Sequence, residues 1–509
     1  MMNSTKNAKT NSKPKTYLGQ KGYTLHKAEL TVDEQTFIRR ELTVRPFMPG
    51  SPAKLPEFPV YRESKSKLYV PRYFGVDHFG EPDETKLSPP TPINIVFDSE
   101  LRDYQKEIVG TFLKFKAQGG GLLDIPCGRG KTVMALKILA EIGLKTLVIV
   151  HKEFLLNQWV ERIEQFLPGA KIGRIQGQVV DVEGKDIVLG MLQSLSMKDY
   201  PTEMFAEFGL TIVDEVHHIA AEVFVRSLFK IVSPYMLGLS ATMQRKDGLT
   251  KVFKMFLGPI RYKEKPNLEH NVLVKAIEFI STDDDFNETA YDYRGNPAYS
   301  TMISKLCGFD ERTQFMLKVL KHEFKSKEGQ QIIVLAHNKN LLTALYKGID
   351  DDPDSYATVG YYVGGMKEAA LKQSESKNII IATYSMAAEA LDIKTLTTLL
   401  MATPKTDVTQ SIGRILRTKH SQPLVIDIVD THEVFQKQWG KRKAYYKKQN
   451  YEMKKTSSLD YFKDKWTPIE YAKKGKKGGK KGGKKGNNDD EDNMPNFNKN
   501  ALLKGKCLI

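Results

Sequence analysis

Cysteine is nearly absent from this sequence. Its three residues, Cys127, Cys307 and Cys507, are scattered over 509 positions. So sparse and odd-numbered a set excludes a disulfide framework, carries no zinc-ligand spacing and fits a reducing compartment. Long apolar runs are also missing: none approaches the ~18–20 residues of a membrane span. The stretch from Met1 to Lys15 is polar and lysine-rich, without the apolar segment of a secretory leader. These absences point to an intracellular protein that is neither secreted nor membrane-bound.

Positive charge is plentiful. The formal net charge is +16, and half of it comes from the eight lysines between Lys473 and Lys485. An excess of this size favours an anionic partner, most often nucleic acid. Hydrophobic residues make up 40% of the chain, enough for true cores, and the length predicts about three domains of ~150 residues.

Taken in order, residues 1–20 are polar and predict disorder. Residues 21–95 contain aromatic and β-branched runs between Pro and Gly breaks, which suit either a small β-containing accessory module or an extended arm, followed by a proline-rich linker. From 96 to 263, apolar runs (121–125, 146–150, 186–189, 210–213, 236–239) alternate with amphipathic stretches, the pattern of βαβ units around a buried parallel sheet. Residues 264–308 are more polar and read as a linker. A second alternating block fills 309–435, a basic-aromatic extension 436–472, and a Lys/Gly-rich tail predicted to be disordered 473–509. The fold class expected is α/β: two tandem lobes with parallel sheets, a small N-terminal module and a disordered basic tail.

The chemistry centres on Asp124-Ile-Pro-Cys-Gly-Arg-Gly-Lys-Thr132, placed between a strand-like and a helix-like run. Strand, glycine-bearing loop, Lys-Thr and helix is the arrangement in which backbone N–H groups and a lysine cradle a nucleotide's phosphates. Ile125 stands where the usual pattern has its first glycine. Asp214-Glu-Val-His217 follows the apolar run 210–213, which would set Asp214 to hold Mg²⁺ and Glu215 to orient or deprotonate water. Ser240-Ala-Thr242 ends the next run. Gln410-Ser-Ile-Gly-Arg-Ile-Leu-Arg417 lies in the second block, with Arg414 and Arg417 three apart and on one helix face. Guanidinium groups of this kind accelerate phosphoryl transfer by ~10³–10⁵.

Together these segments resemble the superfamily 2 helicases of the DEAD/DEAH-like kind, with the box spelled Asp-Glu-Val-His, over roughly residues 96–430. The forms Pro126–Thr132 and Ser240–Gly248 are similar to XPB-type repair and transcription helicases and to poxvirus transcript-release helicases. The resemblance implies that the two α/β blocks are tandem RecA-like lobes, with ATP and Mg²⁺ as cofactors. It assigns Arg102 and Gln105 to the adenine. Pro126, Cys127, Gly128, Arg129, Gly130, Lys131, Thr132, Gln410, Arg414 and Arg417 go to the phosphates, and Thr132 and Asp214 to the metal. Lys131, Asp214, Glu215, Arg414 and Arg417 are then the catalytic set. His217, Ser240, Thr242 and Asp392 couple the lobes, and Gln158, Gln193, Ser194, His337, Asn338 and Thr383 contact nucleic acid. The stretch Glu389-Ala-Leu-Asp392 departs from relatives that carry Gly before Leu-Asp. The function implied is ATP-driven movement on, or unwinding of, DNA or RNA, in viral transcription (transcript release) or genome maintenance, by a monomer working with viral transcription machinery in the host cytoplasm (viral factory) or the virion. A nucleic-acid clamp that hydrolyses ATP without separating strands, and a non-catalytic scaffold, are the alternatives.

Overall fold

The computed structural model describes residues 15–47, 55–126, 128–216, 221–241, 247–264, 271–389, 391, 393–418 and 420–470. The Lys/Gly tail and the first fourteen residues lie outside that set. The described chain forms two compact units, one within residues 15–264 and one within 271–470. Among the described residues no helix is long and apolar enough to cross a membrane.

The first unit is built on an eight-stranded sheet. Its order is Val179–Asp181, Ile172–Gln176, Ile187–Met191, Thr146–Val150, Leu210–Val213, Tyr235–Ser240, Gly120–Asp124 and Ile260–Lys263. Every pairing is parallel except that of the outermost strand, Val179–Asp181. Parallel strands covered on both faces must be apolar on both, so they read as unbroken apolar runs. Successive residues accordingly enter opposite cores. Leu122, Ile149 and Val213 join one cluster, and Leu123, Val148 and Ile212 the other. The register Ser240 to Asp124, Val213 to Gly238 and Val213 to Ile149 aligns the strands' C-terminal ends. Loops leaving those ends share one edge, where open α/β sheets bind ligands.

The N-terminal residues form a module, not an arm, and it begins inside the stretch 1–20 expected to be disordered: Thr16–Gly19 is a strand whose backbone is paired with Gly22–Leu25. Arg62–Glu63, Lys67–Val70, Gly22–His26, Thr16–Gly19 and Glu84–Thr85 make a five-stranded sheet in that order. Tyr23, Leu25, Val70 and Phe74 enter the same core cluster as Phe224, Phe229 and Phe256 of the first α/β sheet's helical face. Polar ties reinforce the seam: Arg72 Nη1 donates to Pro234 O at 2.7 Å, and Tyr73 Oη to Gln118 O at 3.1 Å. Gly75 lies under Tyr23, whose ring is 2.2 Å from where a Cβ would stand, so glycine is needed for that close approach.

The second unit holds another eight-stranded sheet. Its order is Val359–Tyr362, Ile379–Thr383, Ile332–Ala336, Thr398–Met401, Leu424–Asp430, Leu273–Phe279, Glu452–Ser457 and Thr467–Pro468. All but the last pairing are parallel. Two stretches differ from the sequence reading. Residues 264–308, expected as a linker, contain the interior strand Leu273–Phe279 and the helix Tyr299–Gly308. Lys275 and Glu278 interrupt that strand's apolar pattern and disguised it. Lys275 Nζ is neutralised by both oxygens of the buried Glu323, at 2.6 and 2.7 Å. Residues 436–472, expected as a separate extension, contribute the last two strands and complete the sheet. Both units are thus α/β with predominantly parallel sheets, the architecture of tandem RecA-like lobes.

Candidate nucleotide site and nucleic-acid face

The glycine-bearing loop leaves the Gly120–Asp124 strand and enters the helix Lys131–Ile142. Ile125 explains the departure from the common loop form. It is fully buried, and its N–H donates to Ser240 O at 2.9 Å, so the sheet extends one residue into the loop. Gly128 and Gly130 then take φ of 81° and 77°, the left-handed region that favours glycine, and Gly130 caps the helix. A Cβ on Gly130 would stand 2.5 Å from Gln105 Nε2. Gln105 is itself buried, and its Oε1 accepts from Arg102 N–H at 3.0 Å at the start of the helix Asp103–Lys114. Arg102 turns outward toward Tyr104 Oη at 3.4 Å.

Asp214 follows the Leu210–Val213 strand and is buried. Its N–H donates to Ile149 O at 3.1 Å. Its Oδ1 accepts from the Glu215 N–H and its Oδ2 from the Trp159 indole Nε1–H, each at 2.9 Å. Burial, followed by the adjacent Glu215, pushes the Asp214 carboxyl above the usual carboxylate range. Burial does the same to Asp124. Glu215 has φ of 47°, a left-handed conformation that a side chain with Cβ adopts at a cost of ~1–2 kcal/mol. That turn aims the carboxylate at the loop: Glu215 Oε1 lies 2.9 Å from Lys131 Nζ. A lysine, two carboxylates, a helix N-terminus and two glycines in left-handed geometry form a donor set that matches a phosphate chain with its divalent cation. Among the described residues no three His, Cys, Asp or Glu side chains cluster as a metal cage. A P-loop metal takes only a hydroxyl and a carboxylate from protein, the two group types that Thr132, at the start of the helix Lys131–Ile142, and the buried Asp214 carry. Cys127, His217, Thr242 and Asp392 lie outside the described residues.

The remaining first-unit candidates sit beside this edge. Gln158 is half-buried on the helix Glu153–Phe166, and Gln193 is exposed on Leu192–Met197. Ser194 Oγ accepts from the Gly177 N–H at 2.9 Å, which ties that short helix to the neighbouring turn. Ser240 is fully buried at its strand's end.

In the second unit, His337 and Asn338 follow the strand Ile332–Ala336, and Thr383 is the last residue of the adjacent strand Ile379–Thr383. His337 Nδ1 lies 2.9 Å from Thr403 Oγ1. Partial enclosure, then the charge of Lys405, lowers its pKa to about 4, so it is neutral at pH 7. Asn338 caps the helix Lys339–Asp350 by accepting from Asn340 N–H at 2.7 Å, and Thr383 Oγ1 meets Ser385 Oγ at 3.2 Å. Gln410 lies on the helix Thr409–Gly413, which tightens into a 3₁₀ turn at Arg414–Leu416. Residues three apart eclipse in such a turn. Arg414 is nevertheless buried, donating from Nη1 to Leu391 O at 2.8 Å, whereas Arg417 is half-buried.

Two features escaped the sequence reading. Trp159 is one; an indole at a buried helical position always needs an acceptor, but nothing in the sequence pairs it with Asp214. The other is a buried network behind Thr403. Arg442, on the helix Glu433–Lys448, grips both oxygens of Asp427 at 2.8 and 2.9 Å, and Tyr446 Oη donates to the same carboxylate at 2.8 Å. Arg442 Nη1 also donates to Lys405 O at 3.0 Å. The interleaved basic and aromatic residues of the 436–472 extension therefore divide. Arg442 and Tyr446 are core, and Lys441, Lys443, Lys447 and Lys448 are exposed.

A phosphate loop beside a strand-end acidic pair, in the first of two parallel α/β lobes, defines a P-loop nucleotide-dependent machine. Residues 98–245 match the family model described as the type III restriction enzyme, res subunit. A protein of Acanthamoeba polyphaga mimivirus, named "Putative ATP-dependent RNA helicase", is 36% identical over 477 residues, covering 90% of this chain and 91% of its own. A protein of African swine fever virus (strain Badajoz 1971 Vero-adapted) with the same designation is 28% identical over 384 residues, 70% of this chain and 75% of its own. The DNA 3′-5′ translocase XPB2 of Sulfurisphaera tokodaii is 27% identical over 383 residues, 66% of this chain and 83% of its own. The chain belongs to the superfamily 2 helicases.

Proposed function

We propose that this protein hydrolyses ATP to drive movement along, or separation of, nucleic-acid strands. The observation that carries this reading is the triad Lys131, Asp214 and Glu215 around the glycine loop, with Lys131 Nζ 2.9 Å from Glu215 Oε1. Lys131 and the loop's N–H groups bind the phosphates, and Gln105 with Arg102 reads the adenine. Glu215 accepts a proton from the attacking water, a role worth ~10²–10⁴ in rate. Thr132 and Asp214 hold Mg²⁺, which when bound neutralises charge developing on the phosphates. Arg414 and Arg417 are proposed to act on the same charge.

Gln158, Gln193, Ser194, His337, Asn338 and Thr383 are proposed as strand contacts. Contacts to sugar and phosphate give weak sequence preference and a steep salt dependence. The relatives' names divide between RNA and DNA, so the chain's preference is settled by measuring ATP turnover with single-stranded DNA, duplex DNA and RNA at one salt concentration. Stimulation by at least one of them is expected, and a strand-displacement assay then distinguishes a helicase from a clamp. A turnover indifferent to all three would refute the reading. We further propose a place in viral transcription or genome maintenance, with the chain acting as a monomer; the viral setting is supported by the viral origin of two of these relatives.

A further inference from the structure

We infer that Trp159 is a positioning residue for Asp214, the carboxylate proposed above to hold the divalent cation; the inference rests on that reading. Trp159 is 1% exposed and packs in the core with Leu155, Leu156 and Ile163 of its own helix. A buried indole N–H needs an acceptor, and a backbone carbonyl is the ordinary one. Here it donates instead to Asp214 Oδ2 at 2.9 Å, across 55 residues of sequence. The other oxygen, Oδ1, accepts from the Glu215 N–H at 2.9 Å. One donor on each oxygen fixes the plane of the carboxylate, because rotation about its Cβ–Cγ bond would break both bonds. An ionised carboxylate offers about four acceptor sites, so two remain for a cation and its water. The bond is charge-assisted, the stronger class of hydrogen bond.

The helix adds a second consequence. Gln158, proposed above as a strand contact, precedes Trp159 on Glu153–Phe166. A nucleic acid bound at Gln158 and a cation bound at Asp214 are therefore joined through two consecutive residues of one helix and one hydrogen bond. Displacement of that helix changes the angle at which Asp214 presents its oxygens.

Removing an outer partner of a metal ligand typically costs 10–100-fold in metal affinity. The test uses the full chain, ADP and Mn²⁺ as the probe, with bound and free Mn²⁺ read by electron paramagnetic resonance. Trp159→Phe keeps most of the volume and removes the N–H. It is expected to raise the Mn²⁺ half-saturation concentration about ten-fold or more, while metal-free ADP binding stays unchanged. A residue that is merely part of the core would lower the melting temperature and leave the Mn²⁺ half-saturation where it was, and that result overturns the inference. Asp214→Ala serves as the reference: unchanged Mn²⁺ binding in that variant would refute the site itself. The chain has three tryptophans. A Trp439→Phe/Trp466→Phe background leaves Trp159 as the sole emitter even if Trp159→Phe fails to fold. Quenching of its emission by Mn²⁺ with ADP supports the placement, and emission indifferent to the metal overturns it.

Discussion

Lys131 Nζ and Glu215 Oε1 stand 2.9 Å apart, with both side chains largely enclosed. The lysine that would meet the phosphates is thus neutralised by the carboxylate that would activate water. Phosphate binding must exchange one partner for another, and this leaves Glu215 released only when the nucleotide is in place. Glu215→Gln weakens the hold on Lys131 and removes the base. Nucleotide should bind at least as tightly, while turnover falls ~10²–10⁴-fold. Single-turnover hydrolysis set against equilibrium binding checks both halves. Lys131→Ala should instead lose binding and turnover together; normal hydrolysis by either variant would sink the assignment.

Gly130→Ala places a methyl group 2.5 Å from Gln105 Nε2 at a φ of 77°. The Gln105 side chain can swing away, but the left-handed backbone costs ~1–2 kcal/mol for a residue with a Cβ. Nucleotide affinity should fall roughly ten-fold, and discrimination between ATP and GTP should narrow because Gln105 is displaced. Gln105→Ala with Gly130 intact should narrow discrimination alone. Competition binding with the two nucleotides separates the effects.

Arg442 and Asp427 are each 1% exposed and joined by two hydrogen bonds. Truncating one partner of a buried pair leaves the other charge stranded, at a cost of about 3–5 kcal/mol. Arg442→Ala should therefore shift the denaturant midpoint strongly, whereas the exposed neighbour Lys443→Ala stays within about 0.5 kcal/mol of the parent. An equal response from the two variants would contradict a structural role for the Glu433–Lys448 helix.

In the N-terminal module, hydrogen bonds from Arg39 and Lys27 hold the Glu63 carboxyl down to about 2. A carboxylate with a depressed folded-state pKa stabilises the fold at pH above its ordinary value near 4.5. That contribution fades as pH falls from there toward 2. Glu63→Gln should therefore reduce stability at pH 7, by an amount limited by the pair's exposure to water. The two proteins should converge in urea titrations only as the pH approaches 2.

The glycine loop, the acidic pair and most central strands were legible because their signals are local: a parallel strand buried on both faces is an unbroken apolar run, as at Thr146–Val150 and Ile332–Ala336. Leu273–Phe279 was not, since Lys275 and Glu278 break its run and the partner that neutralises Lys275 lies 48 residues away. Trp159 and Arg442 were missed for the same reason. Each draws its meaning from a distant carboxylate, and sequence spacing carries no such information. Ile125 looked like a defect in a motif until its burial and its bond to Ser240 showed it to be the last residue of the sheet.

The strand Leu273–Phe279 lies between Leu424–Asp430 and Glu452–Ser457. Both neighbours leave the ribosome long after it does. At ordinary elongation speeds of ~5–20 residues per second, that strand waits several seconds with neither edge paired. An open apolar edge invites pairing with other chains. The second lobe should thus be the vulnerable half during biosynthesis, and a messenger truncated before codon 452 should yield an insoluble product even though every nucleotide-site motif has been translated.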